Sequence, residues 1–164
     1  MPNMVYLSLG SNVGDRQANL AEAIRRLPEL GAVKQASALY ETEPVEVQTS
    51  QPWFLNCAVS LETELSPVDF LNRMLAVEQA MGRRRTEPKG PRTIDIDIVL
   101  FGDAVLDTPD LTVPHPAMQC RRFVLEPLAE IEPEARHPVL KRTVRELLAA
   151  LPQSGGIVRR FAGN

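Results

Sequence analysis

The order strand, helix, strand, strand, helix, strand along a 164-residue chain predicts an α+β fold. It is the ferredoxin-like, split βαβ pattern: an antiparallel sheet flanked by helices, here with a C-terminal extension. Three observations carry that expectation. Apolar runs at Met4–Leu9 and Trp53–Glu62 are bounded by turn residues, two segments repeat apolar residues at helical spacing, and a β-branched run from Ile94 to Phe101 completes the order. The length fits one domain over residues 1–164, large enough to bury its own core.

Each element has its local reason. The Met4–Leu9 strand stops at Gly10-Ser11-Asn12-Val13-Gly14-Asp15, a turn cluster whose Asp15 caps the next helix. Leu20, Ile24 and Leu27 then predict an amphipathic helix from Arg16 to about Leu30, ended by Gly31. Strands are expected over Val33–Tyr40 and Trp53–Glu62, joined by a Pro-containing loop, Glu41–Pro52, longer than a hairpin needs. A connection of that length in a small domain is more often functional than idle. Ser66 and Pro67 start a second helix whose apolar face is Phe70, Leu71, Met74, Leu75 and Val77, running to Gly82. Beyond Phe101 the sequence predicts a short strand at Leu111–Val113, a stiff Pro114-His115-Pro116 turn, a helix over Arg142–Leu151 and a last strand over Ile157–Phe161.

The chemistry is concentrated in Gly90-Pro91-Arg92-Thr93-Ile94-Asp95-Ile96-Asp97-Ile98. Side chains at i and i+2 of a strand share a face, so Asp95 and Asp97 point the same way with Cα atoms roughly 6.5 Å apart. Ile94, Ile96 and Ile98 fill the other face, and burying them fixes the register. Two oxygen ligands on one face suit Mg²⁺, which keeps waters and is completed by substrate phosphates. The competing reading is an edge strand with a solvated polar face. Arg92, just before the strand, offers a planar fork matched to phosphate oxygens. Arg83-Arg84-Arg85, Lys89, Arg121 and Arg122 also flank the pair in sequence, as a polyphosphate site needs; three adjacent arginines alone fit a solvated loop equally well.

Composition excludes several classes. Lys plus Arg number 18 against 21 Asp plus Glu, a net charge of -3, so no overall bias toward nucleic acid or anionic membrane exists. Cys57 and Cys120 form no CxxC pair and have no His at ligand spacing, which argues against a disulfide framework or zinc site and for small, partly buried residues. The N-terminus lacks the basic start and long apolar stretch of a signal peptide, and no apolar run approaches a membrane span. A soluble, cytoplasmic protein without nucleic-acid or membrane partners is expected.

Several segments in order resemble one family over nearly the whole chain: Leu9-Gly10-Ser11-Asn12-Val13-Gly14, Gln51-Pro52-Trp53-Phe54-Leu55-Asn56, Gly82-Arg83, Gly90 to Asp97, Val113-Pro114-His115-Pro116, and Arg121 to Leu128. The chain resembles 6-hydroxymethyl-7,8-dihydropterin pyrophosphokinase of folate biosynthesis. The resemblance implies diphosphate transfer from ATP to the hydroxymethyl oxygen of the pterin, releasing AMP, with two Mg²⁺ ions held by Asp95 and Asp97. It further implies catalytic roles for Asp95, Asp97, Arg83 and Arg92, and ATP-phosphate binding by Arg83, Arg92, His115 and Arg121. Phe54 and Phe123 would sandwich the pterin ring, and Asn56, Thr42 and the backbone to Val45 would meet its edge. Glu78 is a supporting residue, and Trp53, on the other strand face, lies outside the pocket. His137 matches nothing and is expected in an exposed loop. A monomer is expected, and the length leaves no room for a fused second folate enzyme.

Two positions depart from the family pattern: Lys89 stands where an aromatic residue is common, and Asp110 where some relatives are basic. The alternatives are an RNA-binding ferredoxin-like module and a two-metal nucleotidyl transferase. The first wants aromatic, basic strand faces, yet aromatics are 5% of this chain and the strand at issue presents two Asp. The second would release pyrophosphate instead of AMP.

Overall fold

The computed structural model describes residues 2–43, 53–82, 93–152 and 158–161. In chain order it comprises β1 (Asn3–Ser11), α1 (Arg16–Arg26), β2 (Ala32–Ala36), β3 (Tyr40–Thr42), β4 (Phe54–Thr63), α2 (Pro67–Ala80), β5 (Asp95–Phe101), β6 (Leu106–Asp107), β7 (Thr112–Val113), α3 (Arg122–Ile131), α4 (Val144–Ala149) and β8 (Val158–Arg160). The main sheet runs β5-β1-β4-β3-β8, with β2 also on β4, and all pairings are antiparallel. Because β4 separates β1 from β2 and β3, the first βαβ unit is split, as predicted. The small β6-β7 hairpin forms a separate two-stranded sheet.

The predicted Val33–Tyr40 strand is two strands. β2 pairs with Val59–Glu62 of β4, and β3 with Phe54–Asn56. Between them Ser37 donates its N–H to the Ala58 carbonyl at 2.8 Å, while its hydroxyl accepts from the Ala58 N–H at 2.9 Å. A side chain thus does there what a strand carbonyl would do, and the ladder breaks without leaving Ala58 unsatisfied.

The helix ends follow local chemistry. Asp15 caps α1 by accepting from Ala18 N–H at 3.0 Å, the arrangement expected from sequence. The α-helix stops at Arg26 and tightens into a 3-10 turn over Leu27–Glu29, because Pro28 has no N–H to continue the ladder. Ser66 caps α2 with Pro67 in its first turn, and Gly82, at φ +86°, turns the chain away after Met81. The Arg142–Leu151 helix is shorter than expected, Val144–Ala149, because a reciprocal capping box between Thr143 and Glu146 sets its start.

Helices cover both faces of the sheet, where the first six elements alone place them on one. Val5, Leu7 and Leu9 of β1, Leu55, Cys57, Val59 and Leu61 of β4, and Ile96 and Ile98 of β5 pack with Leu20, Leu27, Phe70 and Met74 of the α1 and α2 side. The opposite face is half covered: Ala58, Val99 and Leu100 pack with Val124, Leu125 and Leu128 of α3 and with Val144 and Leu147 of α4. Helix α3 is absent from the sequence prediction. Pro127 lies inside it and no side chain caps its start, although Val124, Leu125 and Leu128 had the right spacing.

Two smaller expectations are corrected. His137 is 6% exposed, not a loop residue in solvent: its Nδ1 accepts from the N–H groups of Leu140 at 3.0 Å and Val139 at 3.2 Å. Cys120 is exposed, while Cys57 is buried and its thiol is pushed up to about 12 by that burial, so it is no nucleophile at neutral pH. No helix among the described residues is long and apolar enough to cross a membrane.

Candidate active site

The site occupies the half of the second sheet face that α3 and α4 leave open. Strand register assembles it: Asp95 of β5 pairs with Gly10 of β1, Gly10 pairs with Asn56 of β4, and Asn56 pairs with Tyr40 of β3. Two residue pairs along, on the same face, Asp97 faces Ser8. Paired residues share a face, so Asp95, Gly10 and Asn56 form one row, with the carboxylate and the carboxamide two strand spacings, roughly 9.6 Å, apart. Ile96 and Ile98 point into the apolar core on the other side, which locks the two carboxylates onto this face.

Gly10 is the floor of the row. A Cβ there would lie 2.7 Å from Asn56 Nδ2 and 3.4 Å from Phe54 Cδ1, so glycine lets the Asn56 and Phe54 side chains of β4 close over β1. Asn56 is buried and oriented from two sides: Thr42 Oγ1 donates to its Oδ1 at 2.5 Å, and its Nδ2 donates to the Leu9 carbonyl at 3.4 Å. Phe54 is half-buried at the strand end, opposite Thr42.

Beyond the two carboxylates, toward its C-terminal end, β5 carries a bulge. Leu7 pairs with Ile98 and Tyr6 with Leu100, so Val99 is the extra residue. The Val99 carbonyl accepts from the His115 N–H at 2.9 Å, tying the turn after the cis Val113–Pro114 bond to the strand that bears the carboxylates. His115 Nδ1 accepts from Ala117 N–H at 3.1 Å, which leaves Nε2 as the donor of the neutral ring. Burial pushes the His115 pKa down, the Arg121 charge pushes it further, and Asp95 opposes both. The Arg121 guanidinium lies 5.6 Å from the Phe123 ring centroid, a cation–π contact that places it at the start of α3 facing the same opening.

Phe123 divides its surface between that contact and the α3-α4 core, against which it is partly buried. Among the described residues the rings in contact are Phe70 and Phe101, 5.7 Å apart, so Phe54 and Phe123 do not stack on each other. Glu78 of α2, 2% exposed, accepts from the Ile96 N–H at 2.8 Å, an outward-facing amide of the edge strand. It thereby holds β5 between the two carboxylates.

A cleft of about 410 Å³ adjoins Asp97, between α2, β5 and residues 109–116. Leu71, Ile98 and Leu111 give it apolar walls, Asp97 and His115 stand among its polar lining, and Asp110 faces it too. Its volume is within the range of small-molecule pockets, about 300–1,000 Å³. Sequence reasoning did not foresee the apolar walls, because they come from three separate segments. Arg83, Arg92 and Val45 lie outside the described residues.

The sequence model of the family described as 7,8-dihydro-6-hydroxymethylpterin-pyrophosphokinase (HPPK) matches residues 6–133, a span that includes every described residue of this site. The chain belongs to the HPPK family. The 2-amino-4-hydroxy-6-hydroxymethyldihydropteridine pyrophosphokinase of Pseudomonas aeruginosa is 44% identical over 166 residues, covering 99% of both chains. The Bacillus subtilis protein of the same name is 45% identical over 133 residues, 80% of this chain and 79% of its own. The folic acid synthesis protein fol1 of Schizosaccharomyces pombe is 42% identical over 93% of this chain, which spans only 21% of that longer protein. A Plasmodium falciparum HPPK-DHPS crystal structure superposes with a TM-score of 0.73 at 20% identity, covering 91% of this chain and 42% of that one, and shares the fold.

The donor set fits the metal use that an HPPK fold brings. Two half-buried carboxylates share a face with glycine and serine beside them, and no group of three potential protein ligands exists among the described residues. Two carboxylates with room for phosphates is the Mg²⁺ arrangement, whereas a closed protein cage would favour Ca²⁺ or Zn²⁺.

Proposed function

We propose that this chain transfers the diphosphoryl group of ATP to the hydroxymethyl oxygen of 6-hydroxymethyl-7,8-dihydropterin, giving AMP and the pterin diphosphate. The reading covers residues 1–164 as one domain acting as a monomer. The observation that carries it is the row Asp95, Gly10, Asn56: a carboxylate at one end, a glycine floor, and a buried carboxamide with fixed orientation. A pterin has an amide-rich edge and a hydroxymethyl group at its far end, so a ring lying along the row meets Asn56 with one end and the carboxylates with the other.

In this reading the ring lies between Phe54 and Phe123, with Thr42 and Val45 supporting its edge. The nucleoside enters the apolar cleft, and its phosphates run toward Asp95 and Asp97 past His115 Nε2 and Arg121. Arg83 and Arg92 complete the phosphate shell. Two Mg²⁺ held by Asp95 and Asp97 would neutralise charge on the non-bridging oxygens and align the β-phosphorus. The pterin hydroxyl oxygen bonds to the β-phosphorus while the bond from that phosphorus to the α,β-bridging oxygen breaks, and AMP leaves with the electron pair. Asp97 orients the hydroxyl and takes up its proton.

The test is AMP formation from ATP and Mg²⁺ with and without the pterin, the product followed by mass. Pterin-dependent AMP and a product heavier by a diphosphate support the reading. Release of pyrophosphate, or ATP binding without turnover, overturns it.

A further inference from the structure

Behind Thr42 and Phe54, on the opposite surface of β3 and β4, lies an ion network that the reaction does not use. The Glu41 carboxylate is shared: Oε2 accepts from Arg16 of α1 at 3.2 Å and Oε1 from Arg159 of β8 at 3.2 Å. Arg16 also donates to the Trp53 carbonyl at 2.9 Å and lies 5.9 Å from the Phe161 ring centroid. Arg159 lies 5.0 Å over the Trp53 ring. Four segments are therefore joined through Glu41, Arg16 and Arg159: α1, β3, the residue before β4 and the C-terminal strand. Glu41 and Arg16 side chains are only 20% and 24% exposed, so solvent screens the pair less than an open surface would.

We infer that Arg16, Glu41 and Arg159 form a brace that positions Thr42 and Phe54, and that it sets pterin affinity through them. Covalent geometry supplies the coupling. Glu41 directly precedes Thr42 and Trp53 directly precedes Phe54, so fixing the Glu41 carboxylate and the Trp53 carbonyl fixes the two residues that face the site. β3 and β8 have three residues each, too few to hold their own register firmly. The register confirms that the brace spans both: Glu41 pairs with Arg159 while Thr42 pairs with Phe54 and Val158. Arg159 lies beyond residue 133, where the family match ends, so one arm of the brace comes from outside the matched segment.

These are positioning residues, and the inference rests on the pterin reading of Phe54 and Thr42. Its test uses the full chain with E41Q and R159A, measuring pterin KM, ATP KM, kcat, thermal midpoint and the emission of Trp53, the one tryptophan in the sequence. The expected result is a pterin KM raised about tenfold, with ATP KM and kcat held within about twofold, and a red-shifted Trp53 emission. R159K, which keeps the charge but not the planar fork, should recover part of the pterin KM. R145A, which removes an exposed pair with Glu134 on α4, should leave all three constants unchanged. A pterin KM unmoved in both E41Q and R159A overturns the brace alone. So does a proportional loss of every constant together with the thermal midpoint, which marks a purely structural role. A wild-type chain that forms no AMP with pterin overturns both the brace and the reading beneath it.

Discussion

The two faces of β5 and β1 are built from alternate residues of the same strands, yet they obey opposite rules. On one face Ile96, Ile98, Leu7 and Leu9 are buried under α1 and α2 and belong to the apolar core, with Ile96 and Ile98 also reaching the wall of the cleft. On the other, Asp95, Asp97 and Gly10 lie outside the α3–α4 core, which packs on Ala58, Val99 and Leu100 with Tyr6 beside them. The lesson is a division of labour: the apolar face fixes a register, and that register aims the chemistry. Residues one position apart should therefore fail in opposite ways.

Asp97→Ala gives the largest expected effect. On the proposed reading it removes a carboxylate from the reacting centre, which should lower kcat about a thousandfold, with pterin affinity and thermal midpoint nearly unchanged. Near-normal turnover with Mg²⁺ would show that Asp97 is only a surface residue. Ile96→Ala should do the reverse, costing about 3 kcal/mol of unfolding free energy in a urea titration while the remaining folded protein keeps its kcat at saturating ATP, since Ile96 also lines the cleft. If Ile96→Ala abolished turnover in folded protein, the two faces would not be separable as argued.

Gly10→Ala sharpens the comparison, because it adds one methyl group to the active face. Its Cβ would press on Asn56 Nδ2 at 2.7 Å, and Asn56 cannot turn away without giving up Thr42 Oγ1 or the Leu9 carbonyl. The pterin KM should rise about tenfold or more, since small displacements of a positioning group cost that much, while ATP binding by calorimetry stays unchanged. An unaltered pterin KM would remove Asn56 from the site.

What the sequence makes legible follows from where the cause of each feature lies. The Asp95/Asp97 face, the Asp15 and Ser66 caps and the α2 start are all decided within a few residues, so local reasoning reaches them. Features decided at a distance are not legible. The break between β2 and β3 depends on Ser37 meeting Ala58, 21 residues away, and α3 exists because its apolar stripe finds the α4 side and β4 despite Pro127. The active site shows both cases. Asn56 is readable as a polar residue on a strand, whereas Thr42 falls in the loop expected from Glu41 and joins a strand only through its pairing with β4; their mutual bond and the vacancy at Gly10 exist only once β1, β3 and β4 are side by side.

His137 carries the smallest effect and lies away from the sheet comparison, so it tests whether a structural histidine behaves unlike one at the site. Its Nδ1 accepts two backbone N–H groups, and the turn closes through Lys141 N–H to the His137 carbonyl and His137 N–H to the Arg142 carbonyl, both at 2.9 Å. Burial lowers its pKa below the ordinary 6.5, so the folded chain holds the ring neutral at a pH where the unfolded chain has begun to bind a proton. The unfolded state then binds more protons, and stability must rise with pH across that window. The contribution is fully present above pH 6.5 and is lost as the pH falls from there through the folded-state pKa. His115 shifts the same way and adds to the trend in the wild-type chain. The separation comes from His137→Asn, which should melt below wild type at pH 7.5 by a few degrees, about 1 kcal/mol of stability. The gap should narrow by pH 5. A gap that is constant across this range would show that the ring does not titrate with folding, and that His137 holds the turn only by packing.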